Sequence, residues 1–375
     1  MDTSSDEQEM EAHEEMVAFA VATVVVSATN SFNHIDLYEQ TQHYVDASTG
    51  ARDQLATLYR MPSLFSNLTN FTNIEFEEMA QLVCPVIQAN ARSTGALHRR
   101  TGRPAKLTVH QRLLHCLLYL KHDNTAVFEG AYWNWSKSSV CDDSIFVSSC
   151  INVALADEIR WPDPRERLVS GQRNLRFRGC IGLIDGTLIK IRRPHSDPLH
   201  GRWFNGRKKM YCVNNTVVVD HDGLFIYVDC GYPGSFHDVS ILRHCTLMQE
   251  WRSYFTHEDH YFEYLLGDPG YVGEDMFIMR RISDREIPAG SEDVVDAFNR
   301  VHAGVRIRVE WGIGGMKRKW KRMMKRFDAT KSKYPTLFQS ACILTNFLHR
   351  RRKNMTMEDG GIFENEAEQG WDGDY

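Results

Sequence analysis

The 375-residue sequence has no apolar run of the about 20 residues that a membrane helix needs. Its longest, Val17 to Val26 with a small-residue tail to Thr29, falls short. Asp6, Glu7, Glu9, Glu11, Glu14 and Glu15 precede that run, where a secretory leader would carry positive charge. Neither a membrane span nor secretion is therefore expected, and the Asn-x-Ser/Thr triplets at Asn67, Asn70 and Asn134 carry no expectation of glycosylation. No CxxC pair occurs among the nine cysteines. Their odd count and scattered spacing exclude a disulfide framework, argue against structural zinc and point to a reducing compartment. There is no internal repeat.

Base is scarce at one end and absent at the other. Residues 1–60 hold 11 acids and 2 bases, and 358–375 hold 7 acids and no base. Of 49 acids and 44 bases in all, 31 acids and 42 bases are thereby left for residues 61–357, a net of +11 hidden under a formal charge of −5. A basic body with acidic ends suits a polyanionic partner for the body. The alternative is solvated surface charge with no partner. With 42% hydrophobic and 25% charged residues the composition is that of a globular protein with room for a large core.

The order of patterns suggests four parts: an acidic, weakly structured leader over 1–73, a helical region over 74–165, a catalytic-sized block over 178–352, and an acidic disordered tail over 358–375. In the helical region Leu113, Leu114, Leu117, Leu118 and Leu120 follow the spacing of a helix that buries one face. Thr125 to Gly130 allows a second, short helix. Ser136 is placed to cap a third, whose apolar positions Val140, Val147, Ile151 and Leu155 recur at seven, four and four. Three helices with an exposed polar N-terminus resemble a helix-turn-helix, in which Lys137, Ser138 and Ser139 would face the DNA groove or its phosphates; plain packing is the alternative.

From 178 the rhythm changes. Cys180 to Ile184 is wholly apolar, as a strand buried on both faces requires, and Asp185-Gly186-Thr187 is expected to interrupt it before Leu188 to Ile191 resume. Val213 to Val219 and Leu224 to Val228 flank Asp220-His221-Asp222-Gly223, a good hairpin turn. Asp238 to Cys245 starts a helix, and Tyr261 to Leu266 is a fourth strand that stops at Gly267-Asp268-Pro269-Gly270. A strongly basic helical segment closes the body. The expected class is α/β, a mixed sheet flanked by helices and preceded by the small helical region.

Three acids stand out against their surroundings. Asp185 lies in an apolar strand, where a carboxylate must be paired or hold a metal. Asp268 follows the fourth strand, where open α/β sheets bind ligands. Glu310 is the only acid between Asp296 and Asp328, amid Arg306, Lys317, Arg318, Lys319, Lys321 and Arg322. Converging, they would form a hard-oxygen site for two Mg²⁺ or Mn²⁺ ions about 4 Å apart, suited to in-line displacement at a phosphodiester. The basic residues, with Arg306 among them, would neutralise the DNA backbone, and the run Lys317 to Arg322 also fits a nuclear localisation signal. Each acid has a plainer alternative: a turn acid at Asp185 or Asp268, and an intrahelical ion pair of Glu310 with Arg306.

Four ordered blocks carry a resemblance over roughly residues 105–350. Ile184-Asp185-Gly186-Thr187, Pro233-Gly234-Ser235-Phe236-His237-Asp238, Leu266-Gly267-Asp268-Pro269-Gly270-Tyr271, and Phe298 to His302 leading to Val309-Glu310-Trp311-Gly312 and on to Trp320 resemble the signature blocks of PIF/Harbinger-type DDE transposases. The resemblance implies an RNase H-like catalytic domain, a divalent-metal triad, cleavage and transfer of double-stranded transposon ends, a nuclear location, and a separate Myb/SANT-like partner; a homo-oligomer is also expected. It puts the triad on Asp185, Asp268 and Glu310, with His237 and Asp238 in support and Asp238 the rival for the second position. Pro269 departs from the serine common there. A domesticated, catalytically silent DNA- or chromatin-binding adaptor is the second reading, and a related nuclease acting on RNA or repair intermediates the third.

Overall fold

A computed structural model describes residues 54–93, 107–173, 176–195, 197–258, 261–273, 277–327 and 333–358. The expectations for residues 1–53, with the helix over 17–29, and for the tail beyond 358 lie outside these residues. Contacts divide the chain into Met1–Arg60 and Met61–Tyr375. Helix α1 (Gln54–Tyr59) belongs to the first unit. All else described here belongs to the second.

That unit starts earlier than expected. Helix α2 (Pro62–Thr69) opens with a proline at its first turn and ends on Asn70 in the left-handed conformation, and Phe65 and Phe71 are fully buried. The stretch 62–73 is therefore packed structure rather than leader. Helix α3 (Asn73–Ser93) follows, then α4 (Val109–Lys121), α5 (Ala126–Trp133) and α6 (Lys137–Ala154). Thr108 and Gln111 form a reciprocal capping box at α4, and Ser136 caps α6 by accepting the Ser139 N–H at 3.1 Å. Val140, Val147, Ile151 and Leu155 are all buried. Helix α6 packs against α3, α4 and α5, and against α12 (Tyr334–Glu358) near the end of the chain. Its tip, Lys137 to Ser139, is exposed at three successive positions, and the next exposed position, Asp142, is paired with Lys333.

Helix α7 (Pro164–Arg173) leads into the sheet. Strand β1 (Cys180–Lys190) is one continuous strand: Asp185, Gly186 and Thr187 do not interrupt it but pair with Val217, Thr216 and Asn215 of β3 (Met210–Val219). The ladder to β3 runs from Leu183 to Lys190 and outweighs the weak strand preference of Asp-Gly, while β7 pairs with Cys180 to Leu183 on the other side. Cys180 to Ile184 are buried, as expected of a central strand. Strand β2 (Phe204–Asn205) and strand β4 (Phe225–Pro233) pair along the outer edge of β3. Helices α8 (Asp238–Leu242), α9 (Thr246–Gln249) and α10 (Trp251–Tyr254) and a small ribbon of β5 (His257–Glu258) and β6 (Tyr261–Phe262) lead to β7 (Tyr264–Gly267) and β8 (Ile278–Arg280). The main sheet runs β4-β3-β1-β7-β8, with β3 alone antiparallel to the rest.

One core gathers Ile181, Ile184, Val218, Ile226, Ile241, Leu242, Leu265 and Ile278 under α8 and α9. Helix α11 (Glu292–Lys319) packs on β1, β3 and β7, and α12 packs on β4. The fold is thus a mixed α/β sheet flanked by helices. Among the described residues no helix is long and apolar enough to cross a membrane. All nine cysteines are free thiols.

Candidate active site

Parallel pairing sets the first geometric relation. Leu183 of β1 is level with Leu266 of β7, so Asp185, two residues on in β1, and Asp268, the residue after β7 ends, are brought close enough for the charge of Asp268 to act on Asp185. Asp185 is turned to Arg306, whose Nη2 lies 3.0 Å from Oδ2, and it also accepts the Gly186 N–H at 2.9 Å. Asp268 ends β7 in a tight turn, accepting the Gly270 N–H at 2.8 Å; Pro269 between them has no N–H to lose from this arrangement.

Asp238 is a third member. It begins α8, and Asn214 Nδ2 donates to its Oδ1 at 3.1 Å. Its carboxylate occupies the space a side chain at position 186 would take: a Cβ on Gly186 would stand 2.3 Å from Asp238 Oδ1. Glycine at 186 is therefore what admits the second acid beside β1. The neighbouring His237 is exposed.

Electrostatics tie the three aspartates together. Burial pushes the Asp185 carboxyl up to about 6; Arg306 works against this, and the charges of Asp268 and Asp238 add to it. Burial likewise raises Asp238, with Asn214 opposing and Asp268 reinforcing. The Tyr271 hydroxyl is wholly buried without a hydrogen-bond partner, and burial together with Asp238, Asp185 and Asp268 holds it well above the usual phenol range.

Glu310 reaches this cluster only through Arg306. The arginine lies one turn before it on α11 and donates to its Oε1 at 2.8 Å, so one guanidinium bridges Asp185 and Glu310. Asp185 is 16% exposed and Glu310 54%. Burial disfavours the arginine's charge, but Asp185, Glu310 and Asp268 more than offset it and raise the group above its ordinary value. Lys317 lies two further turns along, its Nζ 3.3 Å from the Leu188 carbonyl of β1. Burial lowers its pKa and Asp185 partly restores it.

These donors suit a hard divalent ion in kind: carboxylate oxygens whose mutual repulsion a cation would relieve. Among the described residues, no three His, Cys, Asp or Glu side chains form a ready-made metal cage. The intrahelical pair with Arg306 that the spacing left open is the contact Glu310 makes.

The expected basic DNA face is broken up. Helix α11 ends at Lys319, and Trp320 is fully buried with its indole N–H on Thr345 Oγ1 at 3.0 Å. Arg322, expected to meet DNA, is only 9% exposed: it donates to the Tyr119 and Asn124 carbonyls at 3.0 and 2.7 Å and stacks 4.0 Å over the Tyr119 ring. It is a clamp between α11 and α4. Arg306 is engaged by carboxylates, and Lys317 and Lys319 are half-buried, leaving Arg318 and Lys321 exposed. The run is therefore not displayed as a continuous basic signal. Asn214, Tyr271 and the bridging role of Arg306 escaped the sequence reading. Asn214-Asn215 inside the otherwise apolar β3 was the available signal, since amides in a buried strand need partners.

Residues 184–346 match the family model described as DDE superfamily endonuclease. This stretch, somewhat under half of the chain, is thus similar to the DDE superfamily endonucleases. It is 24% identical over 185 residues to "Protein ALP1-like" of Arabidopsis thaliana, covering 48% of this chain and 44% of that protein. Over 132 residues it is 24% identical to "Putative nuclease HARBI1" of Rattus norvegicus and of Mus musculus, covering 35% of this chain and 34% of each. The aligned stretches span less than half the length of these relatives. No solved structure matches.

Proposed function

We propose that this chain is a divalent-metal-dependent DNA endonuclease of the transposase type, which cleaves and transfers the phosphodiesters of transposon ends. The observation that carries it is the parallel pairing of β1 with β7, which brings Asp185 near the Asp268 that follows β7, with Asp238 across Gly186 and Glu310 joined through Arg306. The sheet order β4-β3-β1-β7-β8, with the second strand alone reversed, supports an RNase H-like domain.

Asp185, Asp268 and Glu310 are the residues that would hold Mg²⁺ or Mn²⁺. Two such ions, when bound, supply a polarised phosphate, an activated water or 3′-hydroxyl, and a stabilised leaving oxygen. The chain's own contributions are distinct. Arg306 keeps Asp185 and Glu310 together while no other cation does so, and on release its guanidinium is free to pair with a phosphate. Asn214 orients Asp238, and burial of the aspartates keeps the site at low dielectric, which strengthens their hold on a cation. Arg318 and Lys321 at the end of α11, and Lys137 and Ser138 at the tip of α6, are exposed groups for the DNA backbone. A Myb/SANT-like partner, self-association and a nuclear location belong to this reading.

A second reading has one observation in its favour: Glu310 is satisfied by Arg306 and half in solvent, as a surface ion pair would be. On that reading the chain is a silent, domesticated DNA- or chromatin-binding adaptor. Nicking of duplex DNA carrying the chain's own terminal repeats, in Mn²⁺, separates the two. The endonuclease reading requires nicking by the wild type and DNA binding without nicking by Asp185→Asn. Equal function of wild type and Asp185→Asn, with no cutting by either, establishes the adaptor.

A further inference from the structure

On the face of α11 turned away from Glu310 lies a cleft of about 580 Å³, within the about 300–1,000 Å³ of small-ligand sites. Arg300, Gly304 and Arg308 follow at intervals of four and so form one stripe of the helix, roughly half a turn from Arg306. Arg173 at the end of α7 and Arg176 complete a lining with four guanidinium groups. Asp222 accepts from Arg173 at 2.8 Å through both oxygens and also meets Lys353 at 3.1 Å, and the charge of Asp220 also acts on Arg173. Among the described residues Arg300 has no hydrogen bond or ion pair.

His221 also lines the cleft and is only 8% exposed. Its Nε2 lies 2.8 Å from the Cys180 carbonyl, which can only accept, so Nε2 carries the proton. Nδ1 of the neutral ring is then an acceptor, and it is buried with no partner. An unsatisfied buried acceptor is a standing cost that an incoming N–H or O–H would remove.

We propose that this cleft binds a nucleotide unit: its phosphate on the Arg300 and Arg308 guanidinium groups, in the forked pairing arginine favours, and a sugar hydroxyl or base N–H on His221 Nδ1. Excess positive charge selects the phosphate. The buried acceptor selects a ligand that donates from a group other than its phosphate, so a nucleotide can meet the arginines and His221 together where inorganic phosphate offers its single group to one or the other. Position 304 faces open space, since a Cβ there would meet no atom within 4 Å, so a larger side chain can be placed at the cleft without a clash. The site is separate from the carboxylates and does not rest on the endonuclease reading.

The test is calorimetric titration of the full chain in EDTA, which sets aside any metal-dependent chemistry. The probes are thymidine 5′-monophosphate, a short single-stranded oligonucleotide with a 5′-phosphate, thymidine, and inorganic phosphate. At least one phosphorylated probe binds, at least tenfold tighter than thymidine or inorganic phosphate. Tighter binding of the oligonucleotide identifies a strand end as the natural source, and equal binding a free nucleotide. Gly304→Leu fills the cleft at a helix position where leucine is the better former, and weakens binding tenfold or more; Arg300→Ala, which removes an unpaired side chain, weakens it about tenfold. Unchanged far-ultraviolet circular dichroism certifies both folds. No saturable binding of either phosphorylated probe, binding of thymidine as tight as theirs, or unaltered binding by both variants overturns the proposal.

Discussion

Replacing Asp185 by asparagine removes a charge that the fold holds at a cost. The carboxyl titrates near 3.8 when unperturbed and is pushed up to about 6 in the folded chain, chiefly by burial. That difference corresponds to about 3 kcal/mol against the folded state once the group is ionised, and the side chain is 16% exposed, so solvent screens little of it. The sign follows from proton uptake. Between pH 3.8 and about 6 the folded chain binds more protons at this site than the unfolded chain does. Stability from this group is therefore complete below pH 3.8, falls as pH rises through 6, and is gone above about pH 7. Asp185→Asn should match the wild type near pH 4 and exceed it by up to about 3 kcal/mol at pH 7.5, measured by urea unfolding in EDTA. Adding Mg²⁺ at pH 7.5 should stabilise the wild type and leave the variant unmoved. A variant less stable than wild type at pH 7.5, or a difference that does not change between pH 4 and 7.5, would refute the claim that burial and neighbouring acids load this carboxylate.

Other substitutions probe the parts around it. Arg306→Gln removes the bridge between Asp185 and Glu310; it should lower the melting temperature in EDTA and raise Mn²⁺ affinity about tenfold by removing the competing cation, a charge-assisted contact being worth about 1.5–3 kcal/mol. Gly186→Ala should displace Asp238 from Asn214, destabilise by about 1–3 kcal/mol and abolish DNA cutting, since its Cβ would stand 2.3 Å from the carboxylate. Arg322→Ala should cost about 3 kcal/mol in chemical denaturation, because it leaves the Tyr119 and Asn124 carbonyls without their donor; a change of DNA affinity with unaltered stability would instead make it a surface residue.

Much of the sheet was legible because its signals are local. The apolar run before Asp185 marks a strand buried on both faces, Asp220 to Gly223 marks a hairpin, and Ser136 marks a helix start, each set by near neighbours. What depends on partners far along the chain was not. Strand β1 runs through Asp-Gly-Thr because β3 pairs with it along that whole stretch, which no window around residue 185 contains. The basic run from Lys317 to Arg322 looks like one cationic face only while the chain stays helical; burial of Trp320 ends the helix and turns Arg322 inward onto α4. Asp185, Asp268 and Asp238 attract notice as acids at the ends of apolar segments, yet their adjacency comes from parallel register and from a missing side chain at 186. The bridging of two of these acids by Arg306 could be read only as the (i, i+4) pair with Glu310, because Asp185 is 121 residues away.

Titration of the metal-free chain with Mn²⁺, followed by the loss of its free-ion electron paramagnetic resonance signal, tests the shared-cation claim most directly. The wild type should take up two ions per chain, with uptake reduced in Glu310→Gln and lost in Asp185→Asn and Asp268→Asn, all folded by circular dichroism. Wild-type uptake equal to that of the aspartate variants, or none at all, would contradict a metal site built from these carboxylates.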